Sequence, residues 1–338
     1  MKTLWLGVVL CVVALAPPAS AQSAVSVECS VPAAWCALVA DEFRKATGVD
    51  VSIGRKEAGE VLAQLRSEAE KPTVDVWFGG AGDAHLKAAG QGLTEVYASP
   101  LLSELHPWAL KQNANSGGRS VGLYADVLGF VFNTEFLIKN GVTAPACWAD
   151  LLKPEFKGEI RMDDPDSSGA AYLAIATLVQ LMGEDKAFGY LGKLHANLKA
   201  RTRFDIAPIK AVARSEAAVS VGFVADSVIE VLAGFPVKTA TPCDGTGYEL
   251  GAMSIVKDAR NAANARKFYD WALSPEAQKL AARARQFEVP SNRATPVQHQ
   301  APTVADTKLI DYDQSRYGEP AERKRLIARW DAGRGPSR

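Results

Sequence analysis

Asp75-Val76-Trp77-Phe78-Gly79-Gly80-Ala81-Gly82-Asp83 reads as a short buried strand that runs into a glycine-rich loop and then into a helix over 84–89. Glycines at 79, 80 and 82 let the backbone approach another group closely and leave N–H groups facing outward. No Lys-Ser/Thr pair follows, so the stretch is not a nucleotide-phosphate loop, and its spacing misses GxGxxG. A backbone cradle without catalytic side chains suits holding a ligand better than transforming it. A plain strand–helix turn is the competing reading.

Outward from this stretch, short apolar strands alternate with amphipathic helices, the mark of α/β layers. Strands at 25–29 and 49–53 and helices at 32–47 and 59–70 precede it, giving the β-α-β-α-β start of a doubly wound sheet. The long apolar run within 119–133 is able to cross from one lobe to another. A second α/β unit follows, with a helix at 169–182, a further helix over 184–194 and strands at 202–205 and 219–223. The run 248–256 is a candidate return crossing. Ser274-Pro275-Glu276 starts a helix with cap, proline and first-turn acid in order.

The N-terminus sets the compartment. Lys2, an apolar run over 4–16, Pro17-Pro18 and Ala19-Ser20-Ala21 predict a signal peptide over 1–21, and so a periplasmic protein. The run is too short to span a membrane. About 317 residues then remain, more than one core usually supports, so two lobes are expected. Lys and Arg number 38 and Asp and Glu 38, with no basic stripe for nucleic acid. Beyond Cys11 in the leader, four cysteines remain, and an even count in an exported chain favours disulfides. Three pairings are possible; Cys29–Cys36 with Cys147–Cys243 is the preferred one. No CxxC occurs and the histidines are scattered, so no metal site and no cofactor are expected.

Loops at the carboxyl ends of strands carry the candidate site residues. Gly80, Ala81, Gly82 and Asp83 form the cradle, with Glu57 and Gly59 beside it. Ser167, Ser168 and Gly169 open a helix and are able to hold an anion or a hydroxyl; a plain N-cap reading competes. Asp205, Asp226 and Glu249 lie at or just past predicted strand ends, and Asp226 and Glu249 are the preferred polar anchors, because a carboxylate accepts several hydrogen bonds from hydroxyl or ammonium groups. Tyr124, Tyr172, Phe204 and Tyr248 are candidate stacking walls, whereas Trp77 suits core packing better.

The leader, the 75–83 loop, Trp148 with Pro154-Glu155-Phe156-Lys157-Gly158, Ser167-Ser168-Gly169, and Phe268-Tyr269-Asp270-Trp271 with Ser274-Pro275-Glu276-Ala277-Gln278 together resemble periplasmic solute-binding proteins of bacterial ABC importers, in the ferric-iron-binding-like branch. Gly80-Ala81-Gly82-Asp83-Ala84-His85-Leu86 and Pro242-Cys243-Asp244-Gly245-Thr246-Gly247-Tyr248-Glu249 are most similar to its hexose-phosphate-binding members. The resemblance implies a two-lobed type II fold, each lobe a doubly wound sheet flanked by helices, hinged by two crossing segments. Lobe 1 is placed at 22–123 and 245–290, lobe 2 at 124–244 and 291–338. Such a protein closes on a small-molecule solute as a monomer, delivers it to an ABC permease and turns nothing over.

The departures from the family pattern narrow the ligand. Ferric members use adjacent tyrosines near 221–227, where this chain has Val-Gly-Phe-Val-Ala-Asp-Ser, so iron is discounted. Hexose-phosphate members carry small hydroxyl residues where Glu57-Ala58 stand, Ser-Gly-Ala where Phe204-Asp205-Ile206 stand, and His-Asp where Ala225-Asp226 stand. Acids at 57 and 205 would repel a phosphate. A neutral sugar, a polyol or an amine is therefore expected. Hexose-phosphate or iron binding, a sensor role beside a membrane histidine kinase, and a secreted hydrolase acting through Ser167 or Ser168 are the alternatives.

Overall fold

The structure, a computed structural model, describes residues 24–202, 206–297 and 307–333. The expected signal peptide at 1–21 and the candidates Phe204 and Asp205 lie outside the described residues. Strand β1 (Val25–Cys29) pairs in parallel with β2 (Val51–Arg55) and with β3 (Val76–Ala81). Helices α1 (Ala33–Thr47) and α2 (Ala58–Ser67) fill the crossovers, and α3 (Gly82–Gly90) follows β3 directly. The expected glycine loop is thus the continuation of a strand, bulged between Phe78 and Ala81.

Helix α4 (Pro107–Asn115), which the apolar periodicity did not announce, packs on strand β4 (Val121–Asn133). Strand β4 belongs to both halves of the molecule. Its first part, Val121 to Val127, pairs with β9 (Tyr248–Ile255), which in turn pairs with β3. Its second part, Leu128 to Asn133, pairs with β7 (Val219–Phe223) and β8 (Val237–Ala240). Asn133 ends the strand and caps α5 (Thr134–Asn140) by accepting from Phe136 N at 2.9 Å. Strands β5 (Ile160–Asp163) and β6 (Leu198–Thr202) complete the second half in parallel. Strand β6 begins directly at the end of α7 (Glu184–Asn197), and the strand expected at 202–205 falls, beyond Thr202, outside the described residues. The short β10 (Val289–Pro290) pairs with β4 at Tyr124 and Ala125.

Helix α6 (Gly169–Met182) is the apolar spine of the second half, buried from Ala170 to Val179. The C-terminal helix Pro320–Ala332 packs against α6 and α7. Trp77 is wholly buried, packed among α2, α3 and Val256, with its indole N–H donating to Ser30 Oγ at 3.0 Å. Among the described residues no helix is long and apolar enough to cross a membrane.

Both expected disulfides are formed. Cys29–Cys36 joins the end of β1 to α1, and Cys147–Cys243 ties the loop before β9 to the start of the second half. Beside the second bridge, Cys243 N donates to Ala146 O at 2.8 Å and the Trp148 indole donates to Gly245 O at 3.0 Å. The bridges span 7 and 96 residues of chain. Loop-closure entropy then predicts that replacing both Cys147 and Cys243 by serine costs about 5 kcal/mol of unfolding free energy, against about 2–3 kcal/mol for Cys29 and Cys36. Urea midpoints of the two double variants check that ordering.

Candidate functional site

The turn after β3 is fixed from beneath by a buried histidine. The His85 ring stacks on Trp77 with centroids 3.7 Å apart. Its Nε2 lies 3.0 Å from the Gly79 carbonyl and its Nδ1 lies 2.8 Å from Ser254 Oγ. A carbonyl only accepts, so Nε2 carries the proton and Nδ1 accepts from the serine hydroxyl. Burial pulls His85 down to about 4, so the ring is neutral at ordinary pH. Gly79 and Gly80 have φ of +75° and +83°, and a Cβ on either would lie 2.4 Å from Val31 Cγ1 or 2.7 Å from Ser30 Cβ. The close approach that the glycines permit is therefore to the chain's own Ser30–Val31 segment. The bulge beyond it presents Ala81 and Gly82 to the space between the halves.

That space is a cavity of about 240 Å³. Ala81, Gly82 and Asp83 line it from the first half, and Gly169 and Tyr172 at the start of α6 line it from the second. Tyr248 and Glu249 reach it from the first two positions of β9. Helix α6 starts there because Ser168 caps it, its Oγ accepting from Ala171 N at 3.3 Å. A Cβ on Gly169 would sit 3.5 Å from Glu249 Oε2, so this carboxylate lies at the positive end of the helix. The C-terminal segment supplies Tyr312, Tyr317 and Arg323. It is tied to the second half by Tyr172 Oη donating to the Tyr317 carbonyl at 2.7 Å, and to the first by Lys87 Nζ donating to the Gly318 carbonyl at 2.9 Å. Burial pushes the Tyr172 and Tyr248 phenols up to about 12, so both remain protonated donors.

Next to the cavity, strand register assembles a row of acids. Asp126 on β4 is the partner of Glu249 on β9, and Glu288 directly precedes β10, whose Val289 and Pro290 pair with Ala125 and Tyr124. Alternation puts Tyr124 on the same face as Asp126. Its ring crosses β9 at Gly251, where a Cβ would lie 2.0 Å from the phenol carbon. Val224 N donates to Val127 O at 3.0 Å, which brings the turn Ala225–Ser227, and with it Asp226, over the middle of β4. Burial first, then Asp226, Glu288 and Glu249, push Asp126 well above the usual carboxylate range. Burial first, with Asp226 beside it, pushes Glu288 up to about 7. Asp126 Oδ1 and Glu288 Oε2 have no hydrogen-bond partner among the described residues.

The structure brings Ala81, Gly82, Asp83, Gly169, Tyr248 and Glu249 to the cavity, with Tyr124 and Asp226 at the adjoining acids. It does not bring Glu57 or Gly59 there. Glu57 is the exposed N-cap of α2, closing a capping box with Glu60 and pairing with Arg55 at 2.7 Å. Gly80 packs on Ser30 and Ala58 beneath the turn. Ser168 is a buried cap, and the Ser167 hydroxyl donates to the Asp164 carbonyl, so neither is paired with a histidine among the described residues. Asp126, Glu288, His85 and Arg323 were missed. A lone acid inside the apolar run 121–132 was the available signal for Asp126. No group of three or more His, Cys, Asp or Glu side chains among the described residues is placed to hold a metal ion.

The raised carboxyl of Glu288 has a measurable consequence. Between its ordinary value of 4.5 and about 7, the folded chain keeps a proton that the unfolded chain has released, so its contribution to stability falls as pH rises through that window. The difference corresponds to roughly 3 kcal/mol. His85 works in the opposite sense: its contribution is complete above 6.5 and is lost as pH falls toward 4. The two oppose each other in the wild type, so the variant isolates the effect. Glu288→Gln should match wild-type stability near pH 4.5 and exceed it by about 2–3 kcal/mol at pH 8. Urea titrations at the two pH values read this, and equal stabilities at pH 8 would contradict it.

Residues 71–317 match the family model described as bacterial extracellular solute-binding protein. A Haemophilus influenzae protein without an assigned function is 40% identical over 323 residues, covering 94% of this chain and 92% of that protein. A Salmonella paratyphi A protein named for periplasmic binding of 2-aminoethylphosphonate is 28% identical, covering 72% and 70%. Among solved structures, the periplasmic binding protein AfuA from Actinobacillus pleuropneumoniae, with fructose 6-phosphate bound, is 39% identical, with a TM-score of 0.72 over 94% of this chain and 100% of that one. Iron-bound HitA from Pseudomonas aeruginosa, 18% identical with a TM-score of 0.73, shares the fold. With a two-lobed type II architecture and a cavity between its halves, the chain belongs to the bacterial extracellular solute-binding proteins, the periplasmic components that capture solutes for ABC importers.

Proposed function

We propose that this chain captures a small polar solute bearing hydroxyl or amine groups, such as a sugar, a polyol or an amine, in the cavity between its halves. The permease of an importer then receives it. The row Glu288, Asp126 and Glu249 across three strands, faced by Asp226, carries this reading. Like charges set opposite one another on a sheet cost stability, and a ligand that donates hydrogen bonds offsets that cost. Asp226 and Glu249 accept such bonds, while Asp126, held toward its protonated form, is able to donate one. The two halves move as bodies about the middle of β4, where its pairing passes from β9 to β7 and β8, and about the segment that leads into β9. The protein works as a monomer and leaves the solute chemically unchanged.

A phosphorylated sugar is the second reading. AfuA, solved with fructose 6-phosphate, favours it. Glu57, one of the acids that argued against phosphate, lies on the surface of α2 and not in the cavity.

A thermal-shift screen of neutral sugars, polyols, amines and fructose 6-phosphate tests the function. A solute at 100 times its Kd should stabilise the fold by about 2.7 kcal/mol. Glu249→Gln and Asp226→Asn should each weaken that solute by about 10–100-fold, the worth of a hydrogen bond to a charged group. The solute should be recovered unaltered after overnight incubation. Stabilisation by none of these classes, or stabilisation that both variants leave intact, would contradict the proposal.

A further inference from the structure

The C-terminal helix Pro320–Ala332 carries three arginines, and two of them are neutralised within the chain. Arg325 pairs with Glu184 and Glu322, and Arg329 with Glu184 and Asp185. Arg316, just before the helix, pairs with Glu322. Arg323 has no carboxylate within 4.0 Å among the described residues, yet it is the arginine that lines the cavity. Asp83, which lines the cavity from the first half, is engaged by Lys87 at 3.2 Å.

Arg323 is also held in place. Its guanidinium carbon lies 4.4 Å over the Tyr172 ring, and Nη2 donates to the Pro165 carbonyl at 3.1 Å. Tyr172 is itself fixed by α6 and by its bond to the Tyr317 carbonyl. A planar cation stacked on an aromatic face keeps most of its five N–H donors for another partner and loses little freedom when that partner arrives. An unpaired cation in a concave site attracts an anion, and the guanidinium fork suits two oxygens of one phosphoryl or carboxylate group.

We propose that Arg323 is a specificity-determining residue that seats an anionic group of the solute, a phosphate or a carboxylate, on the wall made by α6 and the C-terminal helix. This rests on the reading of the cavity as the solute site. The solute is then dipolar: its hydroxyl or amine groups meet Glu249 and Asp226, and its anionic group meets Arg323.

Matched probes test this by titration calorimetry: fructose against fructose 6-phosphate, and glucose against gluconate, with the wild type, Arg323→Gln and Arg323→Lys. Inorganic phosphate at 10–50 mM (an order-of-magnitude range for a lone weak anion,) is a separate thermal-shift probe. In the wild type the charged member of at least one pair should bind at least about tenfold more tightly than its neutral partner, a single charge-assisted contact being worth that much. Arg323→Gln should remove that preference and leave the neutral member within about twofold, and Arg323→Lys should keep part of it because it retains charge but not the fork. Phosphate should raise the melting temperature of the wild type and not of Arg323→Gln. Equal binding of charged and neutral members overturns the role of Arg323 while leaving the solute reading intact. Equal weakening of both members by Arg323→Gln assigns the residue to structure and likewise overturns it. A phosphate shift that Arg323→Gln abolishes, with no sugar bound, supports the anion seat and sinks the sugar reading. Failure of every probe, phosphate included, overturns the inference.

Discussion

The backbone ladder of β4 is the constraint on which the rest of this molecule depends. One strand of 13 residues is hydrogen-bonded to β9 along its first part and to β7 and β8 along its second. A strand buried on both sides reads as a continuous apolar run, and Val121 to Phe132 is such a run, broken by Tyr124 and Asp126. Those two polar residues fall where the pairing passes from one half to the other. Register then decides everything around them, because a slip of one residue would send every side chain to the opposite face. Glu249, Gly251 and Glu288 meet Asp126 and Tyr124 only in the observed register.

The same arrangement links packing to function. Burial and the mutual repulsion of acids gathered on adjoining strands raise their pKa values, so the wall beside the cavity offers a protonated donor as well as carboxylate acceptors. The cradle opposite is stiff by contrast. His85, neutral and hydrogen-bonded at both ring nitrogens, fixes the Gly79 carbonyl, and Trp77 stacks beneath it. The C-terminal segment touches both halves through Tyr317 and Gly318, so any closure of the cleft has to repack it. A rigid turn, a row of acids and one stacked arginine give the cavity a polarity as well as a volume.

Local features of this site were legible in the sequence, and long-range ones were not. Helix α6 begins where its serine cap placed it and spans the expected 169–182, since a cap is a matter of a few neighbouring residues. Glu57 shows the limit of local reading. Its position after a strand suggested a ligand contact, but Glu60 three residues on had already made it half of a capping box. Asp126 and Glu288 come together from strands far apart in the chain, and Arg323 reaches the cavity from the C-terminal helix; beyond the lone acid in an apolar run, nothing in their immediate surroundings marks those positions. Pairing β4 with β9 and β10 had to be known before the acids could be seen as one row. The four cysteines lay between these cases: spacing left three pairings open, and the fold realises Cys29–Cys36 and Cys147–Cys243.

Amide hydrogen exchange is the most direct measurement of the central claim, that a solute is held between the halves by segments from both. Exchange would be followed with and without the solute that gives the largest thermal shift. Slower exchange should appear together at 81–84, 169–172 and 248–250, because one bound molecule closes all three segments around itself. Protection confined to one half, or lying away from all three, would contradict the account.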